Sequence, residues 1–370
     1  MKITKLLSLA FLSIFIATSC SEDEINQPPR YVPLGSYDSG VLILNEGGFG
    51  NANASVSYLS FDLNTIQNNI FGLVNPETVL GDTGQSITFD GNLAYIVLNN
   101  SNKIQIVNRF TMVAVGAITA NLSNPRYIAI VDNKIYVTNW GIATDATDDF
   151  VAVFNKSNNN FITTIVVTEG PEKIIINAGK IYVSQKGGYG FGNKITVINP
   201  TTNSVLNTID VADLPDSMQI NNGFLWVLCE GVPSYATETG GKLQKINITT
   251  NTVVSTFSFA TTSHPKNLEI VSDNVYYTVG SSVYKMGLTP ISPATSISLP
   301  LNSLFNTGFD NLYGFGIRTN RIYISGFSSF NSPGIVKVYS LGGFQDAPAI
   351  GTLLKTQTVG IGPNGFYFNQ

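Results

Sequence analysis

A short pattern recurs along almost the whole sequence and constrains the fold more than any other feature. In its clearest copy, residues 124–139, Asn-Pro leads into an alternating apolar segment, a turn at Asp132-Asn133, and a second segment, Lys-Ile-Tyr-Val-Thr-Asn. The pattern returns at residues 170–185, 214–229 and 264–279, and without the proline at 84–99 and 311–326. Its start appears once more at residues 362–368, and successive copies are 41 to 51 residues apart. A repeat of this length implies one structural unit copied many times.

Each copy continues with two more alternating segments, as at Phe150–Phe154 and residues 161–167, so each unit predicts four β-strands. Gly or Asn stands between the first two strands, where a tight hairpin needs a positive φ. Charged residues make up only 12% of the chain, which opposes long solvated helices. We therefore predict an all-β protein, a β-propeller of four-stranded antiparallel blades.

The two ends of the repeat region complement each other. The first unit begins directly with its second strand, Val41–Asn45, and residues 362–368 supply a first strand with nothing after it. Pairing of these segments would remove an exposed sheet edge. We predict seven blades in a single domain, residues 40–370, closed by pairing of the N- and C-terminal segments.

The N-terminal residues 1–19 have the pattern of an export signal. Lys2 and Lys5 precede an apolar stretch, Leu6–Ile16, that is too short to span a bilayer. Ala-Thr-Ser before Cys20 resembles a bacterial lipobox, with Ala where Leu is usual, which implies lipidation of Cys20. The alternative is an ordinary signal peptide that leaves Cys20 as a spectator. Residues 20–39 are acidic at their start and contain three prolines, so we predict a flexible tether.

The repeat resembles the YVTN family of propellers, in its YncE-like form. Tyr136-Val137-Thr138-Asn139 is a literal copy of the family motif, and Tyr182-Val183-Ser184-Gln185 is a looser one. The acidic segment after Cys20 resembles the surface-export signal of Bacteroidetes lipoproteins. Together these resemblances imply a lipid-anchored outer-membrane protein, exposed on the cell surface. Similar surface propellers include a cobalamin-capturing partner of an outer-membrane transporter, so the resemblance implies nutrient capture, with a corrinoid as one example.

The strand order of a blade places the start of each first strand nearest the axis. These positions carry mixed charge and hydrogen-bonding groups, which we predict to orient a bound molecule. The predicted axial ring consists of Arg126, Tyr127, Glu172, Lys173, Asp216, Lys266, Asn267 and Tyr313, with Gln85, Ser86, Ser217 and Asn364 beside them. Its arginine and lysines would complement ligand carboxylates or phosphates. The alternative is a channel mouth whose polarity only keeps it hydrated.

The loops between the second and third strands are long and aromatic, unlike the short Asn-rich hairpin turns of the opposite face. Long loops on a rigid scaffold commonly carry binding sites. We predict ligand contacts from Phe49, Trp140, Tyr189, Phe191, Tyr235 and Phe327, with Phe330 nearby. The alternative for any single ring is that it folds back over a blade edge.

The sequence offers little for catalysis. His264 is the only histidine, and Cys229, at the end of a second strand, reads as a buried thiol. Axial oxygen donors such as Glu172 and Asp216 stand beside lysines that would oppose a cation. We expect no catalytic residue, no metal and no cofactor.

The net charge of the chain and its predicted location indicate which partners to expect. With 20 basic and 24 acidic residues and a pI near 5.1, the chain lacks a basic footprint for nucleic acid. We predict a monomeric, non-catalytic surface protein that binds a small molecule, or docks on an outer-membrane transporter or another envelope protein. The alternatives are a metal-dependent propeller hydrolase or lactonase, and a structural protein that binds envelope proteins or glycans.

Overall fold

Seven antiparallel sheets of four strands follow one another around a ring in the computed structural model. The structure describes residues 33–142, 144–288, 305–309, 312–343 and 347–370, and one compact unit spans Gly35–Gln370. The innermost strand of each sheet contacts the innermost strands of both neighbours, so the ring is complete. The predicted seven-bladed β-propeller is confirmed. The predicted signal peptide, Cys20 and most of the tether lie outside the described residues.

Blade 1 contains both ends of the repeat region, and blades 2 to 7 follow in chain order. Within each blade the strands are given from the innermost to the outermost. Blade 1 comprises β28 (Pro363–Asn369), β1 (Gly40–Asn45), β2 (Ser55–Ser60) and β3 (Ile66–Gln67). Blade 2 comprises β4 (Gly84–Asp90), β5 (Leu93–Leu98), β6 (Lys103–Asn108) and β7 (Ala114–Ile118), and a short helix, α1 (Ile70–Val74), precedes it. Blade 3 comprises β8 (Pro125–Val131), β9 (Lys134–Asn139), β10 (Phe150–Asn155) and β11 (Phe161–Val166).

The remaining blades repeat the same order. Blade 4 comprises β12 (Pro171–Asn177), β13 (Lys180–Gln185), β14 (Lys194–Asn199) and β15 (Ser204–Asp210). Blade 5 comprises β16 (Pro215–Asn221), β17 (Phe224–Cys229), β18 (Lys242–Asn247) and β19 (Thr252–Ser258). Blade 6 comprises β20 (Lys266–Val271), β21 (Asn274–Val279), β22 (Ser282–Gly287) and β23 (Phe305–Asn306), and blade 7 comprises β24 (Leu312–Arg318), β25 (Arg321–Gly326), β26 (Ile335–Ser340) and β27 (Leu353–Thr358).

Blade 1 closes the ring with strands from both ends of the repeat region. β28 pairs antiparallel with β1, from Gly40 opposite Asn369 to Asn45 opposite Pro363. Asn369 fastens this joint, since its side-chain amide donates to the backbone oxygens of Tyr37 and Arg109 at 2.6 and 2.8 Å. The predicted terminal closure is confirmed.

The apolar residues of the repeat form a separate core between every two neighbouring blades. Seven such clusters occur in the described part of the chain, one for each interface of the ring. The tyrosine of the recurrent motif belongs to these cores in five blades: it is less than 2% exposed at Tyr95, Tyr136, Tyr182 and Tyr323, and 3% exposed at Tyr276. The hydroxyl of Tyr136 donates to the carbonyl oxygen of Pro200 in the next blade at 3.0 Å. The motif therefore stabilises the contact between blades and is not itself a binding feature.

The residues just before β1 pack onto the propeller. Tyr37 is 5% exposed, its ring lies 5.3 Å from that of Tyr58, and its backbone amide donates to the oxygen of Phe110. The folded unit begins at Gly35. This unit begins five residues before the predicted boundary at residue 40, and burial of the aromatic ring of Tyr37 favours the packing of these residues.

Candidate functional site

The first residues of the seven innermost strands meet around a cavity of about 470 Å³ on the propeller axis. In each blade the pairing register shifts at this end of the innermost strand, where a β-bulge occurs. A bulge leaves its extra residue unpaired and turns its side chain aside. At this end of each innermost strand, the side chain directly after the repeat proline, or at the equivalent position in blades 2 and 7, reaches the cavity: Gln85, Arg126, Glu172, Asp216, Lys266, Tyr313 and Asn364.

All eight residues predicted for the axial ring line this cavity. We predicted them as residues preceding the first strands, whereas six of the seven residues just named follow the first residue of their strand and Lys266 begins β20. Tyr127, Lys173, Ser217 and Asn267 come one residue later along the same strands. The strands therefore extend further toward the cavity than expected.

Arg126 and Glu172 form the central ion pair of the wall. The Nε and Nη2 atoms of Arg126 donate to the two carboxylate oxygens of Glu172 at 2.8 and 2.9 Å. The guanidinium also lies 4.0 Å from the ring centre of Trp140, which covers it on one side. Burial lowers the pKa of Arg126, but the charge and the hydrogen bonds of Glu172 outweigh this effect and raise it.

A second network joins the loops of blades 4, 5 and 6. Lys186 Nζ donates to Asp216 at 2.8 Å and to Glu230 at 2.5 Å, and Lys266 Nζ lies 3.0 Å from the other oxygen of Glu230. Burial alone would raise the pKa of Asp216, but Lys186 and Lys173 hold it well below its usual range. For Lys186, burial alone would lower the pKa, but the charges of Asp216 and Glu230 outweigh burial and raise it.

On the opposite side of the cavity, uncharged groups donate hydrogen bonds to the carboxylate of Glu46. Glu46 accepts hydrogen bonds from the hydroxyl of Tyr313 at 2.7 Å and from the side-chain amide of Asn364 at 3.0 Å. Burial raises the pKa of Glu46, and both donors oppose this rise because they favour the carboxylate. Gln85 donates to the hydroxyl of Tyr127 at 3.3 Å, which links this side to Arg126's blade.

Two titratable groups of the wall lack a close partner of opposite charge. Within the described residues, no carboxylate lies within 4.0 Å of Lys173 Nζ, which sits 3.9 Å from the ring centre of Tyr127. Glu269, deeper on β20, accepts no hydrogen bond from any described residue, and burial raises its pKa to about 7 although Lys173 lowers it. Of the three cations predicted to face a ligand, Lys173 alone has no carboxylate partner among the described residues, because Arg126 pairs with Glu172 and Lys266 with Glu230.

Five of the six predicted aromatic residues line pockets beside the mouth of the axial cavity and not the cavity itself. Phe49, Tyr189 and Tyr235 are 77%, 76% and 83% exposed. Tyr189 contacts the edge of Trp140 with ring centres 6.3 Å apart, and Phe191 lies 6.2 Å from Tyr235. These rings line two side pockets of about 250 and 410 Å³, which share Arg126, Lys186 and Lys266 with the axial cavity.

Phe327 differs from the other predicted aromatic residues. Its ring packs against Tyr313 at 5.0 Å and against Phe330 at 4.4 Å between ring centres. It therefore supports the tyrosine that donates to Glu46, as in the folded-back alternative for a single ring.

Four charged residues of the site were not among the predicted ring: Glu46, Lys186, Glu230 and Glu269. The first three share a signal in the sequence, since each directly follows the second strand of its blade, β1, β13 or β17. Trp140 and Phe327 hold the same position in blades 3 and 7. Glu269 had no such signal, because its equivalents in other blades, for example Ala129 and Ile175, are apolar.

The groups considered for catalysis are engaged in the structure. Cys229 is fully buried, and burial raises the pKa of its thiol, which opposes thiolate formation. His264 lies between the backbone oxygen of Glu230 at 3.1 Å and the carboxylate of Glu238 at 3.2 Å. No three His, Cys, Asp or Glu side chains of the described residues are placed to hold a metal ion together. Nor does any helix among those residues have the length and apolar character needed to cross a membrane.

Comparison with known proteins yields a family and several structures of the same fold. The model of the family DUF5074, "Domain of unknown function", matches residues 39–337. A functionally unknown protein from Desulfotomaculum acetoxidans is similar with a TM-score of 0.63 and 12% identity, over 89% of this chain and 98% of that one. No curated protein matches the sequence.

Two further structures extend the same likeness. Hydrazine synthase from Kuenenia stuttgartiensis has a TM-score of 0.55 and 17% identity, over 76% of this chain and 88% of that one. BamB from Moraxella catarrhalis has a TM-score of 0.52 and 14% identity, over 90% and 86%. At these identities the likeness concerns the propeller fold alone.

Proposed function

Since the chain belongs to the DUF5074 family, whose description leaves the function open, we propose a function from the geometry of the axial cavity. The propeller is a non-catalytic binding protein that holds a small polar molecule on its axis. Lys173 and Glu269 contact the ligand, and the aromatic residues of the mouth cover its less polar part.

The observation that carries this proposal is the unequal pairing of charge in the wall. Arg126, Lys186, Lys266, Glu172, Asp216 and Glu230 satisfy one another at 2.5 to 3.0 Å. Such pairs fix the wall before a ligand arrives, which reduces the ordering cost of binding. Lys173 and Glu269 form no ion pair of this kind among the described residues, so they remain for groups supplied by a ligand.

The rim adds the apolar part of the interaction. Tyr189 and Tyr235 place large rings beside the opening, where stacking and area burial favour a flat or partly apolar molecule. A ligand with polar groups on one part and an apolar face on another suits both regions. A corrinoid is one molecule of this kind.

We place this binding protein at the outer membrane, anchored through Cys20 and acting as an accessory to nutrient uptake. The support is the N-terminal sequence and the resemblance to YncE-like surface lipoproteins. A propeller hydrolase is less well supported, because the axial carboxylates Glu172 and Asp216 are already bound to Arg126 and Lys186.

The test combines unbiased capture with a defined probe. The purified full chain is incubated with an extract of growth medium, and the retained small molecules are identified by mass spectrometry. Cyanocobalamin is titrated separately by calorimetry. Both measurements are repeated with the double variant Lys173→Met/Glu269→Gln and with Lys285→Met, an exposed lysine on β22, as the matched control.

We expect the wild type and Lys285→Met to retain the same compounds. The double variant should lose at least about tenfold in affinity, the effect of removing one or two charge-assisted contacts. Undiminished retention by the double variant would contradict the axial site, and capture of nothing by the wild type would contradict the binding function. Absence of heat with cyanocobalamin alone would remove only the corrinoid from the proposal.

A further inference from the structure

A second pocket, of about 250 Å³, lies beside the axial cavity on the loops of blades 1 to 4. Its wall combines four asparagines, Asn99, Asn100, Asn102 and Asn124, with three aromatic residues, Phe49, Trp140 and Tyr189. Positive φ at Asn102 and Asn124 explains these two asparagines as turn formers, but not the convergence of four amides on one pocket.

Within the part of the chain that the structure describes, each of the four side-chain amides uses one of its two polar atoms in a hydrogen bond and leaves the other without one. The amide nitrogen of Asn99 donates to the side chain of Asn124 and to the oxygen of Pro125, and that of Asn100 donates to Asp82 at 2.8 Å. The side-chain oxygen of Asn102 accepts from the backbone amide of Asn124 at 2.7 Å.

The side-chain amide atoms that make no hydrogen bond are of two kinds, acceptors and donors. Among the described residues, the oxygens of Asn99 and Asn100 receive no hydrogen bond, and the amide nitrogens of Asn102 and Asn124 donate none. The pocket therefore offers two fixed acceptors and two fixed donors.

The aromatic residues give the same pocket an apolar side. Phe49 and Tyr189 are mostly exposed, and Trp140 lies edge-on to Tyr189. One face of Trp140 is occupied by the guanidinium of Arg126. Because Glu172 neutralises that guanidinium, this wall has no unmatched charge among its described residues.

From these observations we infer that the pocket binds a neutral saccharide unit. A sugar ring presents hydroxyl groups that both donate and accept, together with an apolar face of C–H groups. Two acceptors, two donors and exposed aromatic rings match this chemistry, whereas an ionic ligand would find no counter-charge. This pocket shares only Arg126 with the lining of the axial cavity, and Tyr189 stands between the two proposed sites.

Trp140 reports directly on this pocket. The chain has two tryptophans, and Trp226 is 3% exposed in the core between blades 5 and 6, so the variant Trp226→Phe leaves Trp140 as the only one. Its fluorescence is followed during titration with neutral tetrasaccharides of glucose, galactose, mannose or N-acetylglucosamine, and with the matching monosaccharides. Sorbitol, a polyol without a ring, is the chemical control, and saturation-transfer NMR on the wild type checks the result.

We expect a saturable change with at least one sugar and none with sorbitol. Equal affinity for monosaccharide and tetrasaccharide would assign the site to a free sugar, and higher affinity for the tetrasaccharide to a glycan chain. Asn102→Gly keeps the positive φ and removes the amide, so it should weaken binding about two- to tenfold. Phe49→Ala, at an exposed ring, should weaken it similarly, and Asn207→Ala on the exposed strand β15 should leave it unchanged.

Three results would overturn the inference. The first is no saturable signal by either method for any sugar up to about 50 mM, beyond the weakest useful affinities. The second is an equal response to sorbitol. The third is unchanged affinity in both Asn102→Gly and Phe49→Ala, with the melting temperature of each showing that it is folded.

Discussion

Arg126 and Glu172 have exposed side-chain fractions of only 16% and 8%, so each stabilises a charge that water would otherwise solvate. We predict that Arg126→Met destabilises the protein by about 3 kcal/mol, because it leaves Glu172 buried without its partner. The double variant Arg126→Met/Glu172→Leu should lose less than Arg126→Met alone, since no charge is then left unpaired. Urea unfolding of both variants and of Glu172→Leu completes the cycle. Additive losses would contradict the coupling.

Glu269 makes stability depend on pH. Burial raises its pKa from an ordinary 4.5 to about 7 in the folded protein. Between these values the folded state binds more protons than the unfolded state, so the free energy of unfolding falls as pH rises and is constant above the folded pKa. We predict that Glu269→Gln removes a decline on the order of 2 kcal/mol between pH 4.5 and 8, measured by urea unfolding at both values.

Asp149 titrates in the same window and serves as the comparison. Its side chain is 3% exposed, and burial raises its pKa to about 7, from a site between blades 3 and 4 away from the axis. Asp149→Asn should remove a separate part of the decline. If Asp149→Asn abolished the whole pH dependence while Glu269→Gln kept it, the unmatched state of Glu269 would be wrong.

The axial residues could be predicted because they stand at a fixed offset from a recognisable proline. Arg126, Glu172 and Asp216 each follow Pro in the repeat, so topology alone brings them to the axis. Their pairing could not be predicted, since the partner of Lys186 lies on the next blade, 30 residues away at Asp216. Alternation indicates which face a side chain occupies, but not which charge lies opposite across a blade boundary.

At the scale of elements, alternation predicted the strands and missed the bulges. A bulge adds one residue to one strand and so interrupts the two-residue alternation of the side chains. The interrupted segment is too short to be detected in the pattern of apolar residues. In blade 4 the register shifts between Pro171 and Ile174, and this shift exposes Glu172 and Lys173 to the cavity. The element that creates the site is thus the least visible one in the sequence.

The loop that enters blade 4 depends on Gly170. This residue has φ +64°, and a Cβ added there would meet the backbone nitrogen of Gly188 at 1.9 Å. Its carbonyl oxygen also accepts from the amide of Lys186 at 2.8 Å. We predict that Gly170→Ala destabilises the protein by at least about 3 kcal/mol, because the backbone must move apart, and displaces Lys186 from Asp216.

Gly179, at the opposite end of β12, is the matched control. Its φ is +72°, but an added Cβ has nothing within 4 Å. Gly179→Ala should therefore cost only about 1 kcal/mol, the conformational part. Thermal unfolding and any loss of ligand capture distinguish the two variants. Equal effects would mean that φ alone, and not the close approach of the two loops, makes glycine necessary at Gly170.

On the scale of the whole molecule, stability comes from interfaces that repeat around a closed ring. Each of the seven cores is shared by two blades, so no blade buries its apolar residues alone. The same closure keeps the axial cavity intact, because its wall takes one bulge residue from every blade. Fold and proposed site therefore depend on the same joint, the pairing of β28 with β1.

The pairing of β28 with β1 can be tested with two variants. One lacks β28, and the other keeps β28 but places it at the opposite end of the chain. Ending the chain at Gly362 removes β28 and with it Phe366, which packs in the core between blades 7 and 1. We predict that this variant loses its cooperative thermal transition.

A circular permutant that begins at Gly360 and joins Gln370 to Gly35 through about eight Gly and Ser residues retains every strand. Since Asn369 already lies opposite Gly40, the permutant should melt within a few degrees of the wild type. A cooperative transition in the truncated chain at the wild-type temperature would show that the ring does not depend on this pairing.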